Sequence, residues 1–260
     1  MRSGKCLQVG LTSFLIFTLL SSPFVTCTSR FNTALGAAEQ TIEPEGLPNG
    51  HEVNDPYERL NRKVFEFNDR VYFYGLKPAA TVYAAVLPTN LRTGIKNGFH
   101  NLVFPSRFVN SVLQGKADKA GIETVRFVIN STIGLAGMID VAQTNFGLAG
   151  YDPDFGQTLA LWGAGSGPFL MIPLLGPSDV RDLFGYAVDS VMDPLFWIPA
   201  DWWVSFSAET GKYINRASLR IGEYEELKKA SLDPYVAERE AYIQYREHLS
   251  EKPVPLYRGD

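Results

Sequence analysis

Cysteine and histidine, on which most protein metal sites and many nucleophilic mechanisms depend, are scarce in this chain of 260 residues. The two cysteines, Cys6 and Cys27, lie near the N-terminus, so the rest of the chain has neither thiol chemistry nor an internal disulfide. Only His100 of the three histidines lies within the main body, with no second His or Cys nearby. The sequence therefore predicts no metal and no cofactor.

An excess of positive charge is also missing. The chain has 24 Lys and Arg against 28 Asp and Glu, which gives a net charge of −4. Nucleic-acid-binding domains are usually basic, so we expect no nucleic-acid partner. With 45% hydrophobic residues, the composition is that of a folded chain rather than a disordered one.

The glycine-rich stretch "GAGSGPFLMIPLLGPSDVRD", residues 163–182, does not have the spacing of a catalytic loop. Its first three glycines lack the G-x-G-x-x-G pattern, and no Lys-Ser/Thr pair follows them. Ser166 lacks the flanking glycines of a nucleophile elbow. We expect no catalytic residue in the chain, and hence that it is not an enzyme.

Several charged residues allow two interpretations. Asp140, Asp179, Arg181 and Asp182 have the composition of a carboxylate site, but each aspartate also stands where a loop enters a helix. Asp is a favoured N-cap residue, because its side chain accepts hydrogen bonds from free backbone N–H groups. We therefore predict that these residues cap helices and pair with one another.

The N-terminus has the pattern of an export signal. Arg2 and Lys5 are followed by a run without charge from Cys6 to Ser29, which predicts a signal peptide over residues 1–26. An uncleaved membrane anchor is the alternative, since the run is long enough to span a bilayer.

Cys27 closes the segment "PFVTC", which resembles a bacterial lipoprotein signal in which a diacylglycerol is attached to the cysteine. Phe24 and Thr26 differ from the residues usual in that signal, so acylation and a spectator cysteine are both open. Residues 27–54 are rich in Gly, Pro and Asn and predict a flexible tether.

A helix is indicated directly after this tether, in "NDPYERLNRKVFEFNDRVYFYGLKP". Asp55 suits the N-cap and Pro56 the first helical position. An apolar stripe then follows at helical spacing and predicts a helix that ends at Gly75 and Pro78. The stripe consists of Leu60, Val64, Phe67, Val71 and Tyr74.

Helical patterns recur along the rest of the chain, whereas alternation of apolar and polar residues is rare. Helices are predicted over residues 105–115, 117–134 and 207–229, and from Asp233 to about Leu249. The expected fold is a single, mostly α domain with irregular Gly/Pro-rich segments over residues 55–250. Residues 251–260 form a C-terminal tail.

Aromatic residues are concentrated in "DSVMDPLFWIPADWWVSF", residues 189–206. Such a cluster is most often part of a core, but Trp also favours the headgroup level of a bilayer. We identify the following as membrane-interface candidates: Phe196, Trp197, Trp202 and Trp203.

Five motifs at matching positions resemble the MlaA (VacJ) family of Gram-negative outer-membrane lipoproteins. They are "DPYERLNRKVFEFNDRV", "FPSRFVNSVLQGK", "TVRFVINSTIGLAGMIDVA", "FGQTLALWGAGSGPFLMIPLLGPSDVRD" and "DPYVAEREAYIQ". The similarity extends from about Asn54 to His248, and the combination is specific where any one motif would be weak.

The resemblance implies a ring-like helical body embedded in the periplasmic leaflet of the outer membrane, beside a porin. Through a channel in that body, misplaced phospholipids would leave the outer leaflet and pass to a periplasmic lipid carrier protein, which maintains lipid asymmetry. No covalent chemistry is expected of such a protein.

The resemblance also indicates residues near the channel. Asn61, Phe65, Phe67 and Asn68 match a family motif there. The stretch 163–176 would be a bent segment in which Gly165 and Gly167 allow close backbone approach. Its apolar side chains would face lipid or the channel, namely Phe169, Leu170, Ile172 and Leu174.

Two other functions share many of these features. An envelope adaptor that binds a porin without moving lipid would have the same anchor and aromatic surface. A membrane-bound lipid hydrolase would also be exported, but it would need a nucleophile and a base, for which His100 is the one histidine in the body.

Overall fold

A computed structural model describes residues 54–197 and 202–250. The predicted signal peptide, nearly all of the tether, Cys27 and the tail lie outside the described residues. The described part of the chain is predominantly helical, as the sequence predicts, with one short β-hairpin.

The elements follow one another in this order: α1 Glu58–Val71, a π-helical turn Tyr72–Leu76, α2 Lys77–Val86, α3 Thr89–Leu102, α4 Phe104–Leu113, α5 Ala117–Thr132, α6 Val141–Phe146, α7 Phe155–Leu161, β1 Phe169–Ile172, β2 Gly176–Asp179, α8 Val180–Met192, α9 Pro194–Trp197, α10 Trp202–Ser218, α11 Glu223–Ala230 and α12 Pro234–Ser250.

The predicted start of α1 was wrong. The helix begins at Glu58, and Asp55 does not cap it. The Asp55 carboxylate instead accepts hydrogen bonds from Asn61 Nδ2 at 2.8 Å and Arg239 Nη1 at 3.1 Å, and from the Tyr235 hydroxyl. Hydrogen bonds from several side chains to a buried carboxylate are stronger than the one bond that a helix cap would supply. Asp55 therefore joins α1 to α12.

The predicted end of this helix was also wrong. At residues 72–76 the chain passes through a π-helical turn and continues directly into α2. The N–H of Lys77 donates to Tyr72 O, five residues back, and Pro78 falls in the first turn of α2. A proline is tolerated there because the first turn needs no N–H from it.

The amphipathic segment 207–229 is two helices rather than one. It breaks between α10 and α11 at Gly222, whose φ of 108° is unfavourable for a residue with a side chain. The N–H of Gly222 donates to Glu225 Oε2 at 3.1 Å, at the start of α11.

A short β-hairpin lies within the Gly/Pro-rich stretch 163–182, part of which the resemblance describes as a bent segment. β1 and β2 are antiparallel, with Phe169 opposite Asp179 and Ile172 opposite Gly176. Its turn places Leu174 at φ 63°, and the Leu174 N–H donates to Asn68 Oδ1 at 2.7 Å. A four-residue strand is too short to show a clear alternation in sequence.

The helix caps predicted at Asp140 and Asp179 are confirmed, whereas the prediction is wrong for Asp182, which lies inside α8. Asp140 accepts from the N–H of Gln143 at 3.1 Å, and Asp179 from that of Asp182 at 2.7 Å. Asp233 accepts from the N–H of Tyr235 at 3.1 Å, at the start of α12.

The interior is unusually polar. Among the described residues nineteen polar or charged ones are buried, against eight apolar ones. The apolar cluster is small and consists of Phe169, Met171, Tyr235 and Tyr242, where the hairpin contacts α12. In water-soluble domains the buried residues are mainly apolar, so most of this interior depends on hydrogen bonds and ion pairs.

None of the described helices has the length and apolar character needed to cross a membrane.

Candidate functional site

Two asparagines of α1 hold the hairpin. Asn61 Nδ2 donates to Phe169 O at 3.1 Å, and its Oδ1 accepts from Met171 N at 2.9 Å. One strand-length further along, Asn68 Nδ2 donates to Ile172 O at 3.0 Å. Residues seven apart lie on the same helix face, so the two amides bind one strand and its turn side by side.

Asn61 and Phe169 were expected to face a channel or lipid, but both are buried, so this expectation is wrong for them. Asn61 is 2% exposed and Phe169 3% exposed. The Phe169 ring lies 6.3 Å from that of Tyr235 and 6.0 Å from that of Tyr242, edge-on. Phe65 packs against the same cluster. Asn61 and Phe169 are therefore part of the interior, and Phe65 packs against it.

The other hairpin residues expected to face lipid or a channel are half-buried, namely Leu170, Ile172 and Leu174. Successive strand residues point to opposite faces, so Leu170 and Ile172 lie on the face opposite the core. That these three side chains contact lipid or line a channel stays a prediction.

The two glycines before the hairpin differ. A Cβ on Gly167 would meet Val180 at 3.3 Å, and its φ is 76°, so both space and backbone favour glycine. Nothing lies within 4 Å of a Cβ on Gly165. The expected close backbone approach is therefore wrong for Gly165.

A carboxyl group of α12 also lies beside the hairpin. Glu238 lies against it, with Oε1 3.8 Å from where a Cβ of Gly176 would stand. Burial, and after it the charge of Asp69, raises the pKa of Glu238 to about 8. The Asp69 carboxylate itself accepts from Lys228 Nζ at 2.7 Å.

Three of the five residues of the apolar stripe that runs from α1 into the π-helical turn are exposed, whereas Val64 packs against the interior cluster. Leu60 is 60% exposed, Phe67 47% and Tyr74 85%, while Asn61 on the other face is buried. Apolar groups exposed to water are unfavourable by about 25 cal/mol per Å². A helix with its polar side inside and its apolar side outside fits a lipid or protein surface better than water.

The same inversion is found in α4 and α5. Val109, Val112, Val125 and Val128 are exposed on the outside of this pair. Buried on its inside are three charged residues, Arg107, Glu123 and Arg126. Arg107 Nε lies 2.9 Å from Glu123 Oε2, and Arg126 Nη2 lies 2.8 Å from Asp140 Oδ2. Each of these buried charges thus has an oppositely charged partner, as a charge taken out of water requires.

A second buried network joins α7, α8 and α12. Arg246 lies 2.8 Å from Asp154 Oδ2 and forms a further ion pair with Asp182. Tyr242 donates to Asp182 Oδ2 at 2.6 Å. Removing one member of such a network leaves an unpaired buried charge, so its members are fixed in place.

Exposed aromatic residues mark the end of α9 and the start of α10. Trp197 is 68% exposed and Trp203 55%, while Phe196 is half-buried, with its ring 5.1 Å from that of Trp197. The side chain of Trp202 lies outside the described residues. Exposed indoles in this number are unusual for a surface in contact only with water.

His100 does not form the base of a catalytic pair in the described structure. Its Nε2 lies 3.4 Å from Asp152 Oδ1, and no described hydroxyl group is hydrogen-bonded to its ring. It borders a polar cleft of about 20 Å³, lined also by Arg107, Arg126 and Asp140. That volume is enough for one water molecule. Among the described residues no cluster of His, Cys, Asp and Glu is arranged to bind a metal.

Comparison with known proteins identifies the family to which this chain belongs. A family model described as MlaA lipoprotein matches residues 53–249. The chain belongs to the MlaA lipoprotein family. Its match extends over all the described helices and the hairpin, except for the last residue of α12.

Relatives with names support this membership. The intermembrane phospholipid transport system lipoprotein MlaA of Escherichia coli is 34% identical over 200 residues, covering 76% of this chain and 78% of that protein. The protein of the same name in Haemophilus influenzae is 32% identical over 224 residues, covering 82% and 88%. An uncharacterised protein of Rickettsia prowazekii is 34% identical over 210 residues, covering 76% and 81%.

A solved structure of the family has the same fold. It comes from work on the structural basis for maintenance of bacterial outer membrane lipid asymmetry, and it superimposes with a TM-score of 0.66 at 34% identity. The match covers 76% of this chain and 99% of that one.

Proposed function

We propose that this protein is the outer-membrane lipoprotein of an intermembrane phospholipid transport system. In this proposal its helical body forms a ring in the periplasmic leaflet and surrounds a channel. Mislocalised phospholipids leave the outer leaflet through the channel and pass to a periplasmic carrier protein, which maintains lipid asymmetry. The named relatives and the structural neighbour support the transport role.

One observation supports this function most directly: the inversion of polarity across the helices. Apolar side chains such as Leu60 and Val128 are exposed, while Asn61 and Glu123 on the opposite faces are buried. A protein within one leaflet needs an apolar outer surface toward acyl chains, and a lipid path needs apolar and polar walls together. Trp197 and Trp203 suit the headgroup level, where indole is favoured.

The proposal can be tested in Escherichia coli cells that lack their own MlaA. Expression of this chain is expected to lower the amount of phospholipid accessible to an external phospholipase. A Cys27→Ala variant tests whether acylation is needed for this activity. Phospholipid exposure that stays at the level of the deletion strain, with the protein present in the outer membrane, would contradict the proposal.

A further inference from the structure

A π-helical turn interrupts what is otherwise one continuous helix over residues 58–86. The turn consists of residues 72–76, with α1 directly before it and α2 directly after it. Such turns are rare, are often found at functional sites, and are places at which helices bend. The turn therefore marks a candidate joint between α1 and α2.

The turn also contains a glycine that packing does not require. No atom beyond its own helix lies within 4 Å of a Cβ placed on Gly75, and its φ is outside the left-handed region. An alanine would therefore fit both the space and the backbone. Glycine inside a helix is less favourable than alanine because it has more conformational freedom to lose. The chain thus keeps a flexible residue where a stiffer one would be more stable.

Helix α11 bridges the two sides of this joint. On the α1 side, Asp69 Oδ1 accepts hydrogen bonds from Lys228 Nζ at 2.7 Å and from the Tyr224 hydroxyl at 3.0 Å. On the α2 side, Lys77 Nζ lies 2.6 Å from Glu225 Oε1. Side chains of one short helix therefore hold the chain both before and after the turn.

Aromatic contacts join these two ion pairs. The centre of the Phe73 ring lies 5.0 Å from Lys228 Nζ and 5.4 Å from Lys77 Nζ, so both ammonium groups contact the same ring. Tyr72 packs edge-on against Phe73, and its hydroxyl donates to Glu225 Oε2 at 3.1 Å. The two lysine side chains are 35% and 36% exposed, and ion pairs this open to water are weak. These contacts can therefore break and form again.

The two helices that meet at the joint hold different parts of the protein. α1 holds the hairpin through Asn61 and Asn68. α2 packs against α10, which begins at Trp202 within the aromatic segment, residues 189–206. Bending at residues 72–76 would therefore change the position of the hairpin relative to the membrane-interface candidates.

We propose that residues 72–76 are a hinge between α1 and α2, and that α11 is the latch that holds this hinge in the position seen here. The hinge opens when the ion pairs of Lys77 and Lys228 break, and Gly75 absorbs the change in backbone angles. As a step in lipid passage, the opening rests on the proposed transport function and adds to it a moving part.

The hinge can be measured with two spin labels, at the exposed positions Arg59 of α1 and Val82 of α2. Double electron–electron resonance on the full-length protein in detergent micelles gives the distribution of distances between the labels. Cys6 and Cys27 are replaced by serine in every sample, so that labels attach only at the two chosen sites. We expect one main distance in this parent protein.

Opening the latch should change that distribution. The double variant Lys77→Met, Lys228→Met removes both ion pairs but keeps the apolar stems, and it should broaden the distances or add a second one. Lys229→Met, at an exposed neighbouring position of α11, is the matched control and should leave the distribution unchanged. If the double variant folds poorly, Lys228→Met alone provides the same measurement.

A stiffer turn tests whether the hinge serves transport. Because alanine fits the site, Gly75→Ala should raise the Tm by about 1–4 °C. It should nevertheless lower phospholipid transport in the Escherichia coli cells used to test the proposed function. Gly121→Ala on α5, where a Cβ also meets no atom within 4 Å, is the matched control. It should raise the Tm similarly and leave transport unchanged.

The outcomes distinguish the hinge from the proposed function. A distance distribution that stays unchanged in the lysine variants would overturn the hinge and leave transport intact. Transport by Gly75→Ala at the wild-type level would overturn the part of the hinge in transport. Broadened distances in the lysine variants, together with no transport by the wild type, would support the hinge and contradict the proposed function.

Discussion

Replacing Asn61 by alanine removes the amide that joins α1 to the first strand of the hairpin. This side chain forms three hydrogen bonds: to Asp55 Oδ1 at 2.8 Å, to Phe169 O at 3.1 Å and from Met171 N at 2.9 Å. It is 2% exposed, so water cannot replace those partners without opening the structure. The substitution leaves a strand carbonyl, a strand N–H and a carboxylate each short of one partner.

The expected loss follows from these bonds. A typical hydrogen bond contributes about 1 kcal/mol, and one that involves a charged group such as Asp55 about 1.5–3 kcal/mol. We therefore expect Asn61→Ala to lower the free energy of unfolding by about 3.5–5 kcal/mol. Asn68→Ala removes two neutral bonds at a half-buried position, for which we expect about 2 kcal/mol.

Urea unfolding in detergent, followed by tryptophan fluorescence, measures these differences. The exposed Arg59→Ala on the same helix is the control and should stay within about 0.5 kcal/mol of the wild type. Hydrogen exchange should show that the amide of Met171 loses protection first in Asn61→Ala. A loss below about 0.5 kcal/mol for Asn61→Ala would refute the role given to this amide.

Three further predictions concern the hairpin and the surface. Gly167→Ala should lower stability by about 1–2 kcal/mol because of the positive φ, while Gly165→Ala should leave it unchanged, as urea titration will show. Burial raises the pKa of Glu238 to about 8, so the folded state favours the neutral acid. Its stability contribution is complete below the unfolded pKa of about 4.3 and is lost as the pH rises through 8. Glu238→Gln should therefore have a higher Tm than the wild type at pH 9 and an equal one at pH 4, and equal values at pH 9 would contradict this. Replacing Trp197 and Trp203 by alanine should weaken the sedimentation of unacylated protein with phospholipid vesicles, whereas unchanged sedimentation would exclude them from the membrane interface.

The sequence predicts local features of the fold well. Asp140, Asp179 and Asp233 act through backbone N–H groups two or three residues away, which a single sequence shows directly. Asp55 has the same Asp-Pro pattern as Asp233, but its partners Tyr235 and Arg239 come from the other end of the chain. No local pattern distinguishes these two aspartates.

The candidate site was harder to predict, because apolar patterns do not reveal which face is buried. The stripe of α1 looks like a core face, yet Leu60 and Phe67 within it are exposed, and the polar Asn61 instead holds the hairpin. A signal was available in Asn61 and Asn68, whose spacing of seven places two amides on one side of the helix. Identifying their partners requires the position of β1, which lies about a hundred residues further along the chain.

The claim at the centre of this account is that the protein binds and moves intact phospholipid. Its most direct test is to isolate the protein from membranes in mild detergent, incubate it with vesicles of labelled phospholipid and separate the bound lipid by chromatography. We predict that intact phospholipid co-purifies with the protein. Free fatty acid or lysolipid that accumulates with time, or a porin that co-purifies without any lipid, would contradict the account.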